Sequence, residues 1–404
     1  MLSHQSTFCF KIGIYGLKNL FSDEYQEKNI GWITESFNLM RDNFCPITLN
    51  DKLFYHYTDH QGAHGIINSS GFWATDSFYL NDSSEGVYGK ELLNSVVNEE
   101  IDTHFTQKNE KDIAKKLVEA SFQDKSIRNS RTYIVSFCEK GDLLSQWRGY
   151  AGGSGISLGL SKQFFTTSIE MQNYPKSSIE WEFFKVSYGN DAKLIAQKLA
   201  KIIIKEISWY IQTLENVFDK VGGMEFFPNL NILSNIYDRF IAVVKHEGFA
   251  EENEWRLVGI EKAIPNIKIR PSSQEMTPFV EFDFPIDFYR IQGFKFEIVT
   301  VKLNNESNDD IENVLDDLNN DSRDGLNYLK EIIVGPTAHF ERSKRAIEEL
   351  IKIKSYKSTA LTPQTDFHDK ENLRQLYNRQ DLHQFRNNFN FEMPEIKRSM
   401  TPFV

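Results

Sequence analysis

The sequence predicts an α+β protein with a mixed or antiparallel sheet core and flanking helices. Short runs rich in β-branched and aromatic residues are interleaved with long amphipathic runs, but without the regular rhythm of βαβ units. No strand–GxGxxG–helix and no GxxxxGKS or GxxxxGKT stretch occurs, which argues against a Rossmann or P-loop domain. With 404 residues, 40% apolar and 13% aromatic, the chain is long enough to bury a large core and too apolar for a disordered polymer.

Taken in order, residues 1–50 read as an N-terminal extension, with Phe8 to Tyr15 a strand and Ile30 to Asn43 a short helix. The main α+β domain is expected over 51–355, with a helical insert at about 190–246, and 356–404 as a tail packed on it. Leu53 to Tyr57 has strand composition, 60–69 suits a short helix closed by Gly71, and Phe72 to Thr75 reads as a second strand. Asp82 followed by Glu85 fits a helix cap and its reciprocal partner. The same pair also reads as carboxylates for metal or acid/base work, but two acids without a histidine or a third acid make a poor metal site.

Residues 109–125 form a polar-faced helix, Tyr133 to Cys138 a strand, and Glu182 to Tyr188 another. From Asn190 to about Val221 apolar residues recur at helical spacing, and a further helix spans about 229–246. Glu254 to Ile260, Phe279 to Phe284, Phe294 to Leu303 and Lys330 to Gly335 read as strands. The acidic run at 306–324 reads as a solvated insert, 340–354 as a helix, and Met400 to Val404 as a closing edge strand.

The formal charge of −11 excludes a non-specific nucleic-acid coat, though a local basic groove needs only a few cations. Cys9, Cys45 and Cys138 give neither a disulfide framework nor zinc spacing. No run approaches the ~20 apolar residues needed to span a bilayer, and no charged-then-apolar leader is present. The expectation is a cytoplasmic protein with no membrane partner.

Binding chemistry concentrates in residues 132–160, TYIVSFCEKGDLLSQWRGYAGGSGISLGL. This stretch carries Ser136, Trp147, Arg148 and Tyr150 beside a Gly-rich turn. A guanidinium close to two rings suits a site that stacks a flat base and neutralises a phosphate; packing plus an internal ion pair is an equal alternative. His56 lies between Tyr55 and Tyr57 in a strand, where a lone histidine is more often a satisfied core residue than a catalyst. Glu252 and Glu254 stand two apart at a strand start, on one face if the extended backbone reaches back to Glu252, with Arg256 following. Spacing alone favours a structural ladder of Glu254 with Arg256. The functional alternative is a carboxylate that holds a ribose hydroxyl and stabilises an oxocarbenium ion, with a second acid assisting a nucleophile.

Together, FYHYT, FWATDSFYLNDSSEG, VSFCEKGDLLSQWRGYAGGSGISLGL, GFAEENEWRLV and IIVGP followed by a helix resemble the bacterial family known as domain of unknown function 2971. The resemblance runs from about residue 53 to about 353. The family carries no settled activity, and some relatives are named as phage-resistance or abortive-infection proteins. A weaker resemblance is to ADP-ribosyltransferases: a strand histidine, a serine-bearing strand with a tyrosine beyond, and a glutamate on a late strand. That resemblance implies NAD as substrate. It implies that His56 and either Ser136 or Tyr150 hold NAD and that Glu254, in the acid-x-acid form Glu252-Asn253-Glu254, is catalytic with Glu252 assisting; the reading of the residues themselves adds Tyr57, Trp147 and Arg148 to the NAD-binding set. The acceptor would be protein, nucleic acid or water. The early arginine of the arginine-modifying branch is absent, and the Ser-Thr-Ser strand is at best Ser136-Phe137-Cys138. Two alternatives stand beside this reading. One is a non-catalytic sensor that binds a nucleotide or a phage component. The other is a metal-dependent nuclease toxin using Asp82, Glu85 and Glu254.

Overall fold

A computed structural model describes residues 35–44, 52–69, 71–80, 83–123, 131–173, 177–217, 230–271, 276–284, 328–360 and 393–401. The strands expected at Phe8 to Tyr15 and Phe294 to Leu303, the acidic run 306–324 and the cap at Asp82 lie outside these residues.

Along the chain the helices are α1 (35–44), α2 (His60–Ser69), α3 (Ser83–His104), α4 (Lys108–Gln123), α5 (Leu144–Tyr150), α6 (Lys162–Gln172), α7 (Gly189–Val217), α8 (Leu230–Ala242) and α9 (Phe340–Ala360). The strands are β1 (Leu53–Thr58), β2 (Gly71–Asp76), β3 (Thr132–Cys138), β4 (Ile156–Ser161), β5 (Ile179–Lys185) and β6 (Ser187–Tyr188). They continue as β7 (Val244–Lys245), β8 (Glu254–Glu261), β9 (Lys268–Pro271), β10 (Met276–Asp283), β11 (Leu329–Val334) and β12 (Glu395–Arg398). The architecture is α+β, and its strand pairs are mostly antiparallel, as the sequence predicts.

The chain divides into two compact units, each built from separate segments. The first takes residues 1–50, 73–138 and 169–281. Its sheet runs β5–β8–β3–β2–β10–β9. β3 and β8 are its centre, buried on both faces, and both are rich in Val, Ile and aromatics. Helices α1, α3, α4, α7 and α8 bury Leu93, Val97, Ile101, Leu199, Ile203, Ile236 and Phe240 against Ile134, Phe184, Val258 and Ile260. Each such side chain contributes on the order of 1.5–3 kcal/mol on leaving water.

The second unit takes residues 51–72, 139–168 and 282–404. Its strands run β12–β11–β4–β1; β1, β4 and β11 pair antiparallel, and β12 adds to β11 in parallel. Its core is aromatic: Phe54 meets Phe165 edge-on, and Phe164 sits among Phe72, Phe282 and Tyr328.

Several elements depart from the sequence expectation. Of the edge strand expected at Met400 to Val404, residues 402–404 lie outside the described residues; the strand described in this tail is Glu395–Arg398. Glu395 to Arg398 take the register of Glu331 to Val334, and Ser399 to Thr401 are used in hydrogen bonds instead. The strand expected over Glu182 to Tyr188 starts at Ile179, breaks at Val186, and continues as β6 in a different, parallel pair with β7. The 22-residue α3, α6 and β9 went unread. The four residues Lys-Ile-Arg-Pro of β9 are a strand only because β10 pairs with them.

Candidate functional site

In the second unit, α5 follows the turn at Gly141-Asp142. Its Gln146 and Trp147 are buried, while Arg148, Gly149 and Tyr150 face solvent. Trp147 is 0% exposed, and its ring meets Tyr57 edge-on at 4.8 Å. It therefore anchors the helix rather than offering a ring to a ligand. The Trp147 indole Nε1 donates to Asp142 Oδ1 at 2.7 Å. The same carboxylate accepts from Ser399 Oγ at 2.5 Å, Thr401 Oγ1 at 2.7 Å and the Met400 amide at 2.7 Å. Burial pushes the Asp142 carboxyl up, but these donors outweigh it and hold it below the usual carboxylate range.

Tyr57 ties the same turn from the other side. Its hydroxyl donates to the Lys140 carbonyl at 2.7 Å and accepts from the Leu143 amide at 2.9 Å. His56 lies edge-on to Phe72 at 5.0 Å. α5 ends in Gly152 (φ +60°) and Gly153 (φ +78°), left-handed conformations that favour glycine. The Gly153 amide donates back to the Trp147 carbonyl at 2.8 Å. Arg148 has no hydrogen-bond or ion-pair partner among the described residues, and Tyr150 beside it is 40% exposed. A rigid, multiply bonded base thus carries an exposed guanidinium and phenol at the mouth of a glycine turn.

In the first unit, Glu254 and Arg256 open β8. Glu254 is 5% exposed and Arg256 2%. Arg256 Nε reaches Glu254 Oε1 at 2.8 Å, Arg256 Nη2 reaches Oε2 at 3.1 Å, and Arg256 Nη1 donates to the Ala242 carbonyl at 2.8 Å. Lys245 Nζ lies 2.8 Å from Glu254 Oε2 and 2.7 Å from Glu252 Oε2. The Glu254 amide donates to Tyr188 Oη at 2.9 Å, and burial pushes that phenol's pKa up. Burial also acts to raise Glu254, but the adjoining Arg256 and Lys245 charges and their hydrogen bonds bring it down to about 2. Glu252 and Glu254 do not share an extended strand. Glu252 ends a 3-10 turn, and Asn253 between them is left-handed at φ +43°. Lys245 is what joins them. Ser136 on β3 stands opposite Arg256, and Cys138 opposite Glu254; Cys138 Sγ donates to the Glu252 carbonyl at 2.9 Å.

The predicted site residues are thus divided. His56, Tyr57, Trp147, Arg148 and Tyr150 belong to one unit, and Ser136, Glu252 and Glu254 to the other. Sequence reasoning missed Lys245, Tyr188 and the hub role of Asp142. A lysine inside the apolar run Phe-Ile-Ala-Val-Val-Lys was the available signal for Lys245, because a cation among such neighbours is buried only when paired. The Glu85 side chain lies outside the described residues, as does Asp82; among the described residues no group of three His, Cys, Asp or Glu could hold a metal ion. No helix among the described residues is long and apolar enough to cross a membrane.

No curated protein and no solved structure matches the chain. The family model described as Protein of unknown function (DUF2971) matches residues 146–257, from α5 through β8. Over that stretch the resemblance read from the sequence is borne out, and the chain carries the DUF2971 family's sequence pattern there.

Proposed function

We propose that this protein is a nucleotide-binding module whose recognition element is the exposed end of α5, with NAD the first ligand to try. The observation that carries the reading is Arg148: an exposed guanidinium with no anion partner among the described residues, next to Tyr150 and two left-handed glycines, on a base fixed by Asp142 and Tyr57. A guanidinium pairs with phosphate in a fixed fork geometry, a phenol stacks on a base or ribose, and a glycine turn lets backbone amides approach closely. Titration calorimetry of the full chain with NAD tests it. Binding that falls at least about tenfold in Arg148→Gln, a loss of about 1.4 kcal/mol, supports the reading. Absence of NAD binding by the wild-type chain removes NAD as the ligand.

A second reading keeps the catalytic role: an ADP-ribosyltransferase or NAD glycohydrolase, acting as a phage-defence or toxin effector. The observation in its favour is that the serine-bearing strand β3 lies directly beside the glutamate-bearing strand β8, with Ser136 opposite Arg256. An ionised Glu254 would stabilise positive charge at the anomeric carbon as nicotinamide leaves. Against it stands the engagement of both Glu254 oxygens by buried cations, which leaves the carboxylate a structural ion. Release of nicotinamide from NAD by the purified chain, abolished in Glu254→Gln, would restore the catalytic reading. Toxicity on overexpression that vanishes with the same change would support an effector role.

A further inference from the structure

The first unit holds a second polar–aromatic face that none of the readings above uses. On β2, β10 and β9, one side of the sheet carries Trp73 and Thr75, then Thr277 and Phe279, then Lys268 and Arg270. The register pairs Thr277 with Arg270 and Phe279 with Lys268. Trp73 lies over Phe279 with ring centroids 4.7 Å apart and planes tilted by 30°, and it remains 40% exposed. An apolar indole left in water beside a supporting ring is a ready stacking surface.

Among the described residues the cations around it are unequally partnered. Lys268 Nζ is held by Glu281 at 2.5 Å, and Arg131 lies 3.8 Å from Asp76. Arg270 is partly buried, and its one partner among the described residues is the neutral Thr75 hydroxyl, to which Nη2 donates at 2.8 Å. Burial lowers its pKa. A partly desolvated guanidinium with no counter-ion among the described residues is costly to keep, and among those residues only one of its donors is used. The Arg270 guanidinium reaches across β10 to Thr75, which stands two residues from Trp73 on the same face of β2 and so on the order of 7 Å from it along the strand. That spacing matches the distance between a nucleobase and its own phosphate.

We propose that Trp73 and Arg270 form a binding site for a nucleotide unit, with the base stacked on Trp73 and the phosphate on Arg270. The site is independent of Arg148. Its ligand is either a free nucleotide or one unit of a single-stranded nucleic acid. The full chain is titrated with AMP by calorimetry and with a fluorescein-labelled oligo(dT) by anisotropy, for wild type, Trp73→Ala, Arg270→Gln and Arg148→Gln.

The expected result is binding of at least one probe that weakens about tenfold or more in Trp73→Ala and in Arg270→Gln, in line with the worth of one stacked base or one charged contact. That binding is unchanged in Arg148→Gln. Oligonucleotide binding that also weakens with added salt identifies the polymer as the source; AMP binding alone identifies the free nucleotide. Urea midpoints equal to wild type exclude misfolding, and Trp73→Phe and Arg270→Lys serve in place of any variant that fails this check. The proposal is overturned if neither probe binds, or if binding survives both changes. A loss confined to Arg148→Gln also overturns it and leaves the α5 reading intact.

Discussion

Glu254 accepts from both Nε and Nη2 of Arg256, its neighbour two residues along the same strand, at 2.8 and 3.1 Å, with the whole pair buried. Two charges removed from water this way hold together only while each keeps its partners. Lys245 completes the set by joining Glu254 to Glu252, and its ammonium also lies 5.1 Å from the centre of the Phe249 ring.

Replacing Glu254 by Gln takes from the buried Arg256 and Lys245 the carboxylate that they share, while Glu252 stays on Lys245. The expected loss of stability is roughly 3–5 kcal/mol, read as a lower urea midpoint. An unchanged midpoint would show that the carboxylate is not a structural ion and would favour its use in chemistry.

The same carboxylate sets an acid limb. Its ordinary pKa is 4.5 and its folded value about 2. The folded value is the lower one, so its contribution is complete above about pH 4.5 and is lost as pH falls toward about 2. Asp142, also lowered, acts in the same direction. Glu182, raised by burial despite Arg239, acts in the opposite one. Urea midpoints measured from pH 7 to pH 2 should therefore be flat near neutrality from these groups and fall below about pH 4.5 in wild type. In Glu254→Gln the fall should be shallower.

Asp142 gathers four donors from α5 and the segment after β12. Asp142→Ala should cost at least about 2 kcal/mol, since hydrogen bonds to a charged acceptor are worth about 1.5–3 kcal/mol each. It should also free residues 399–401 to proteolysis while β3 and β8 keep their slow amide exchange. Equal protease resistance in the variant would show that β12 alone retains the segment.

Arg148→Gln should leave the melting temperature within about 1 °C of wild type, because substitutions at exposed positions contribute little. A clear drop in thermal unfolding would mean that Arg148 supports the fold rather than a ligand.

The legible parts of the chain were those governed by local pattern. Helix α2 occupies 60–69 as expected, and β1, β3, β8 and β11 lie within one residue of the reading at each end. Their apolar periodicity is a local property of the backbone. α3 escaped because its apolar positions, Leu93, Val96, Val97 and Ile101, are diluted by polar residues; its partner α7 reveals them as a packed face. Among the site residues, the concentration of chemistry around Arg148 was visible because those residues are adjacent in the chain. The Glu254–Arg256 pairing was visible as a spacing of two, whereas Lys245 and Tyr188 were not.

By itself the sequence determined the α+β class, most element positions and the two stretches that carry the unusual polar residues, because those follow from short-range periodicity and composition. Only the tertiary structure decided which charges are buried and who neutralises them. It turned Glu254 from a free acid into a clamped ion, made Asp142 a hub for a segment 257 residues away, and set Arg270 against the Thr75 hydroxyl. The reason is physical: solvation and counter-ions are set by neighbours in space, and chain spacing carries no record of them.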